Sequence, residues 1–167
     1  GRRVCVRAYP ASVDPRALPS DLAYETGSKL ADALLASHDE LPETVGIVVW
    51  GTAAMRTHGD DAGEILALLG VRPVWNPETR RVVGLEPVPL DELGRPRIDV
   101  AVRISGFFRD AFPALVTLLD DAVALVAGLD EPVEENFVRK HALADRDRLV
   151  AELGEDAAWR RATTRIF

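Results

Sequence analysis

Between Trp50 and Leu66 the chain reads "WGTAAMRTHGDDAGEIL", and His58, Asp60, Asp61 and Glu64 crowd into one short stretch of it. An imidazole and carboxylates this close can hold a divalent cation or accept protons from a substrate. Asp61 and Glu64 become neighbours if the segment is helical. The plainer alternative is that these acids simply favour a helix N-terminus. A second group, "SGFFRD" from Ser105 to Asp110, sets two phenylalanines beside an Arg–Asp pair. Arg109 and Asp110 either form a surface ion pair of small worth or recognise a carboxylate or amide on a ligand. The other histidines, His38 and His141, stand far from His58 and read as surface or capping residues.

Several chemistries are excluded. "GTAAMRTHG" is neither a G-x-G-x-x-G nor a Walker loop, so this segment is not a nucleotide site. The glycine after Ser105 does not belong to a G-x-S-x-G elbow. The single cysteine, Cys5, has no partner for an internal disulfide and no Cys or His at metal-ligand spacing. A formal net charge of -7 argues against nucleic acid or an anionic membrane as a general partner. No apolar run reaches the roughly 18 residues of a membrane span, and "GRRVCVRAYP" lacks the apolar core of a signal peptide. A cytoplasmic location is expected. With 47% hydrophobic and 28% charged residues, 167 residues are enough for one domain with a full core. Both ends read as cut, so the expectation is a fragment of a longer polypeptide.

The elements that must position these groups follow from periodicity and punctuation. "VCVRAY", Val4–Tyr9, is a strand or extended entry, and "PASVDPRALPS" a loop. Ser20 is a predicted N-cap for a helix reaching about Ser37. "VGIVVW", Val45–Trp50, is apolar without alternation, as in a strand covered on both faces. "GTAAMRTHGDD" is predicted as a loop and "DAGEILALLG" as a helix closed by Gly70. "VRPVW" and "RRVVGLEPV" are strands. "IDVAVRI" alternates, with Ile98, Val100, Val102 and Ile104 on one side and Asp99, Ala101 and Arg103 on the other. After the "SGFFRD" loop, "PALVTLLDDAVALVAGL" is a long apolar helix with Pro113 in its first turn. Two further helices are predicted over 136–152 and 155–166. The sum is an α/β layered domain over 1–167: a short, mostly parallel sheet flanked by helices, a core over 45–130 and a helical tail over 136–167. Ligands of such sheets sit beyond the carboxyl ends of the strands, where both suspect loops leave.

Four stretches in order, "VGIVVWGTAAMRTHGDD", "ALLGVRPVW", "ELGRPRIDVAVRISGFFRDAFP" and "LDEPVEENFVRKH", resemble the large subunit of ATP-dependent tetrapyrrole metal chelatases. That family contains the cobaltochelatase large subunit and the H subunit of magnesium chelatase. "RISGFFRDAFP" and "WGTAAMRT" look like the cobalt branch, to which Arg103, Ile104 and Pro113 lean. Ala53 departs from the family, where an Asp is common at this position.

The resemblance implies insertion of Co²⁺, as the substrate metal, into a corrin macrocycle, hydrogenobyrinic acid a,c-diamide, in cobalamin biosynthesis. ATP and Mg²⁺ would be used by separate AAA+ motor subunits and not bound here. On this reading Thr52, Arg56, His58, Asp60, Asp61 and Glu64 line one side of the macrocycle and metal site. Ser105, Phe107, Phe108, Arg109 and Asp110 line the other. His58 or Glu64 would handle metal or accept protons, and Arg56 or Arg109 would anchor carboxylates. A magnesium chelatase H-type role, inserting Mg²⁺ into protoporphyrin IX, is the alternative within the family. A second alternative is a docking module that packs on other domains of the same subunit without touching the ring. The fragment alone is expected to be inactive.

Overall fold

The computed structural model describes residues 14–167. The extended segment read at Val4–Tyr9, with Cys5, lies outside those residues. A short 3₁₀ turn at Pro15–Ala17 leads to Ser20, whose Oγ accepts from the Ala23 N–H at 3.1 Å, and α1 follows over Asp21–Ala36. Next come β1 (Thr44–Val49), α2 (Gly51–Thr57) and α3 (Asp60–Leu69). Gly70, at φ 70°, ends α3 in the left-handed conformation that glycine adopts without strain. β2 (Val71–Trp75) and β3 (Val82–Pro87) form an antiparallel hairpin, followed by a single-turn helix α4 (Leu90–Leu93). The chain then forms β4 (Asp99–Ile104), α5 (Gly106–Ala111), α6 (Pro113–Ala127), α7 (Phe137–Leu153) and α8 (Glu155–Ala162). None of the described helices is long and apolar enough to cross a membrane.

β1 and β4 pair in parallel from Thr44↔Asp99 to Val49↔Ile104. On the other side of β4 the chain terminus lies as a short parallel extension. The Val102 N–H donates to Arg165 O at 2.7 Å, the Phe167 N–H to Val102 O at 2.8 Å, and the Ile104 N–H to Phe167 O at 2.9 Å. β4 is therefore central. Its inner face buries Val100 and Val102 against the same core as Ile65, Leu66, Leu69, Leu115 and Leu119. Each such side chain stabilises the fold by about 1.5–3 kcal/mol. α1 crosses α3 at two glycines. A Cβ on Gly27 would lie 2.2 Å from Glu64 N, and one on Gly63 2.7 Å from Ala23 O.

The α/β layered architecture is as expected; several local readings are corrected. Both predicted loops, "GTAAMRTHGDD" and "SGFFRD", are largely helical, as α2 and α5. The last helix ends at Ala162, because the residues beyond it pair with β4. β1 is not covered on both faces: Thr44, Gly46 and Val48 are exposed while Val49 is buried. Asp99 does point opposite Val100, yet it is 2% exposed, covered by His141 and Arg165.

Arginines hold the layers together from inside. Arg97, 1% exposed, donates from Nε and Nη2 to both oxygens of Glu131 (2.7 and 2.8 Å), from Nη1 to Gly70 O and from Nη2 to Val88 O. Asn136 donates to Glu131 and to Val126 O, and its own Oδ1 caps α7 by accepting from the Arg139 N–H. Arg95 donates to Ala67 O and Leu68 O at the end of α3. Meeting the donors of these guanidiniums in this way offsets much of the cost of burying them.

Candidate functional site

Because β1 and β4 are parallel, Val49 and Ile104 end side by side, and α2 and α5 start from the same edge and pack on each other. One hydroxyl joins the two starts: Ser105 Oγ accepts from the Phe108 N–H at 3.2 Å and from the Gly51 N–H at 3.4 Å. The two starts pack closely here: a Cβ on Gly51 would sit 2.5 Å from the Phe107 ring. Phe107 therefore lies over the beginning of α2. It is 51% exposed; Trp50, the residue before α2, is 61% exposed, and Met55 is also exposed. Thr52, Arg56, Arg109 and Asp110 are exposed on the same two helices.

This edge presents apolar surface with two arginines on the helices that carry it, a combination suited to a flat apolar ligand bearing carboxylates. Arg109 Nε donates to Asp110 Oδ1 at 2.9 Å, with both side chains 68% exposed, so the pair is weak and open to exchange for a ligand. Phe108 is a correction. It is 0% exposed and packs on Phe112 at a ring separation of 5.5 Å, in the core, where no ligand reaches it. α5 is a short amphipathic helix, so adjacent phenylalanines project about 100° apart, one outward and one into the core. Phe112, which the sequence reading passed over, supports both: it also meets Phe107 edge-on at 6.5 Å.

The His58 group is only partly assembled. His58 at φ 59° and Gly59 at φ 92° reverse the chain between α2 and α3. Asp61 and Glu64 are half-buried, and burial, then the neighbouring carboxylates, push both above the ordinary carboxylate range. Raised carboxyls of this kind are better proton acceptors than free ones. His58 lines a cavity of about 450 Å³ with Ser20, Asp21, Trp75 and Arg80. Among the described residues no three His, Cys, Asp or Glu side chains come together as a metal-binding group. The metal set of His58, Asp60, Asp61 and Glu64 is thus not formed in this structure.

His141, read as a lone surface residue, is instead the centre of a charged array. Its Nδ1 is 2.9 Å from Asp99 Oδ2 and its Nε2 3.2 Å from Glu43 Oε2. Arg165 Nε donates to both Asp99 oxygens (2.8 and 3.0 Å), and Lys140 Nζ donates to Glu43 at 2.7 Å. The array clamps α7 and the terminus onto the starts of β1 and β4. It lies at the opposite end of β4 from Ser105, about 20 Å away at strand rise. No local pattern signals it, because the residues bonded to one another are 42 to 98 positions apart.

The chain matches the family described as CobN/Magnesium Chelatase over residues 10–167. Among solved structures it is similar to the catalytic subunit of cobaltochelatase from Mycobacterium tuberculosis, with 62% identity and a TM-score of 0.85, covering 93% of this chain and 13% of that one. It is 50% identical to the aerobic cobaltochelatase subunit CobN of Sinorhizobium sp. over 93% of this chain and 12% of that protein. It is 44% identical to the chloroplastic magnesium-chelatase subunit ChlH of Oryza sativa subsp. indica over 93% of this chain and 11% of that protein. The chain therefore spans only 11 to 13% of the length of these relatives.

Proposed function

Since the chain belongs to the CobN/magnesium chelatase family, we propose that it is part of the large subunit of an aerobic cobaltochelatase, inserting Co²⁺ into hydrogenobyrinic acid a,c-diamide. The observation that carries this reading is the 62% identity, at a TM-score of 0.85, to a catalytic subunit of cobaltochelatase. ATP hydrolysis belongs to separate AAA+ motor subunits, and the other domains of the large subunit complete the site. The magnesium enzyme is the second reading within the family, favoured by the 44% identity to a ChlH subunit.

Metal insertion removes ring-nitrogen protons while the ion sheds water. The carboxyl edge of the sheet and the His58–Glu64 segment together supply groups for each part of that task. Phe107 and Trp50 offer apolar surface to the face of the macrocycle, and Arg56 and Arg109 pair with its peripheral carboxylates. Thr52, Ser105 and Asp110 border the same surface. Glu64, whose carboxyl is pushed up by burial, is the proton acceptor, with Asp61 and Asp60 beside it and His58 at the entrance to their helix. The exposed apolar groups at this edge equally favour a docking module, which would bury them against other domains of the subunit.

The test substitutes Phe107→Ser, Arg109→Ala and Glu64→Gln in the longer subunit and follows cobalt insertion with motor subunits and ATP. Loss of insertion at least 10-fold, with motor-subunit binding intact, is the expected result. Unchanged insertion in all three would overturn the assignment of the edge.

A further inference from the structure

The hydrogen-bond phase of β1 exposes an unfinished sheet. The Asp99 N–H donates to Glu43 O and the Ser105 N–H to Val49 O, at 2.9 and 3.2 Å. With the register Thr44↔Asp99 through Val49↔Ile104, the odd-numbered backbone groups of β1 therefore face β4. The N–H and C=O groups of Thr44, Gly46 and Val48 point to the other side, where no backbone partner stands among the described residues. The far edge of β4, by contrast, is closed by Arg165–Phe167.

Edges left open in native proteins carry devices against pairing: charged residues, proline or bulges. β1, "TVGIVV", has none of these, and its pairing with β4 is regular throughout. Val48 is 54% exposed, and a Cβ added to Gly46 would meet nothing within 4 Å, so the face of β1 that carries both is uncovered. Both neighbouring pairings in this sheet are parallel. The relatives are about eight times longer than this chain, which covers 13% of the cobaltochelatase structure it matches.

We propose that β1 receives a further parallel β-strand, uncharged along its paired stretch, from outside these 167 residues in the same subunit, which pairs with the outward groups of Gly46 and Val48 and covers Val48. The proposal rests on the reading of the chain as part of a longer chelatase subunit. It makes this edge the seam along which the fragment joins the rest of that subunit, on the side of β1 away from β4.

Residue-resolved hydrogen exchange on the 167-residue chain and on the longer subunit tests it. In the chain, Gly46 and Val48 amides should exchange rapidly while Val45, Ile47 and Val49 are protected. In the subunit, Gly46 and Val48 should slow by about 100-fold or more, as paired strand amides do. Val48→Lys should leave the melting temperature of the chain unchanged and abolish the added protection of Gly46 in the subunit. Rapid exchange of both amides in the subunit would overturn the proposal. So would protection already present in the chain, whether it disappears on deleting residues 1–13 or grows with concentration as for a second copy. Cobalt insertion measured on the same subunit separates the two readings. Insertion with a freely exchanging edge overturns the strand alone, and a protected edge without insertion overturns the chelatase reading alone.

Discussion

Arg97 and Glu64 show how differently charged side chains behave in this fold. Arg97 is fully paired inside the core, with Glu131 and carbonyls of α3, Gly70 and Val88 accepting its protons. Arg97→Ala would leave Glu131 without its cation, with only the Asn136 amide still donating to it, and would take a donor from three carbonyls, a loss of about 3–5 kcal/mol. Urea denaturation of the chain should show it as a large fall in midpoint or as failure to fold. Glu64 is the reverse case. Its folded pKa is raised above the unfolded value of 4.5, mainly by burial, so the folded state binds more protons than the unfolded one through that range. Stability from this group is present at low pH and falls as pH rises through the raised pKa. Glu64→Gln should therefore raise the melting temperature of the chain at pH 7, with the gain vanishing below about pH 4. In the longer subunit the same change should lower cobalt insertion. A gain in stability paired with a loss of activity is the mark of a group held for chemistry.

At the scale of elements, the α1–α3 crossing is the least forgiving contact. Gly27→Ala places a methyl against the α3 backbone at 2.2 Å, where no flexible side chain can yield. The expected cost is about 3 kcal/mol, the upper range for overpacking, read by thermal melting. Gly51→Ala should cost less, since the atom in its way belongs to the half-exposed Phe107 ring, which can rotate aside. The long elements were legible because their signals are local: Ser20 and Gly70 bound helices, and "IDVAVRI" alternates. The short helices α2 and α5 were not. Each is under eight residues, too brief for periodicity to separate from a loop, and each is fixed by packing on the other. Phe108 was assigned to ligand for the same reason, because only the helical turn of α5 turns it inward. His141 was missed because Asp99 and Glu43 reach it, and Arg165 reaches Asp99, through tertiary structure alone.

The whole molecule reads as a scaffold with two unfinished surfaces. At one, the carboxyl edge, the exposed Trp50 and Phe107 sit with Arg56 and Arg109 on the two short helices. At the other, the outer edge of β1 has no paired strand among the described residues. Much of the sequence signature, "GRPRID" and "EENFVRKH", maps to neither. Arg95, Arg97, Asp99, Asn136 and His141 build the interior network that holds β4, α6 and α7 together. Part of the family signature thus lies in residues that maintain the fold, and part, "WGTAAMRT" and "SGFFRD", lies at the edge proposed to meet substrate. The chain alone is expected to show no cobalt insertion, since it holds 13% of the length of the cobaltochelatase structure it matches. Turnover by the isolated chain with ATP and motor subunits would contradict that.

The central claim is that the carboxyl edge faces the macrocycle, and Phe107 tests it most directly because it is exposed and its loss leaves the core intact. Equilibrium binding of hydrogenobyrinic acid a,c-diamide to the longer subunit, compared between the native protein and Phe107→Ser, is the measurement. A fall in affinity of 10-fold or more, with an unchanged melting temperature, is the predicted result. Equal affinity in the two proteins would contradict the account.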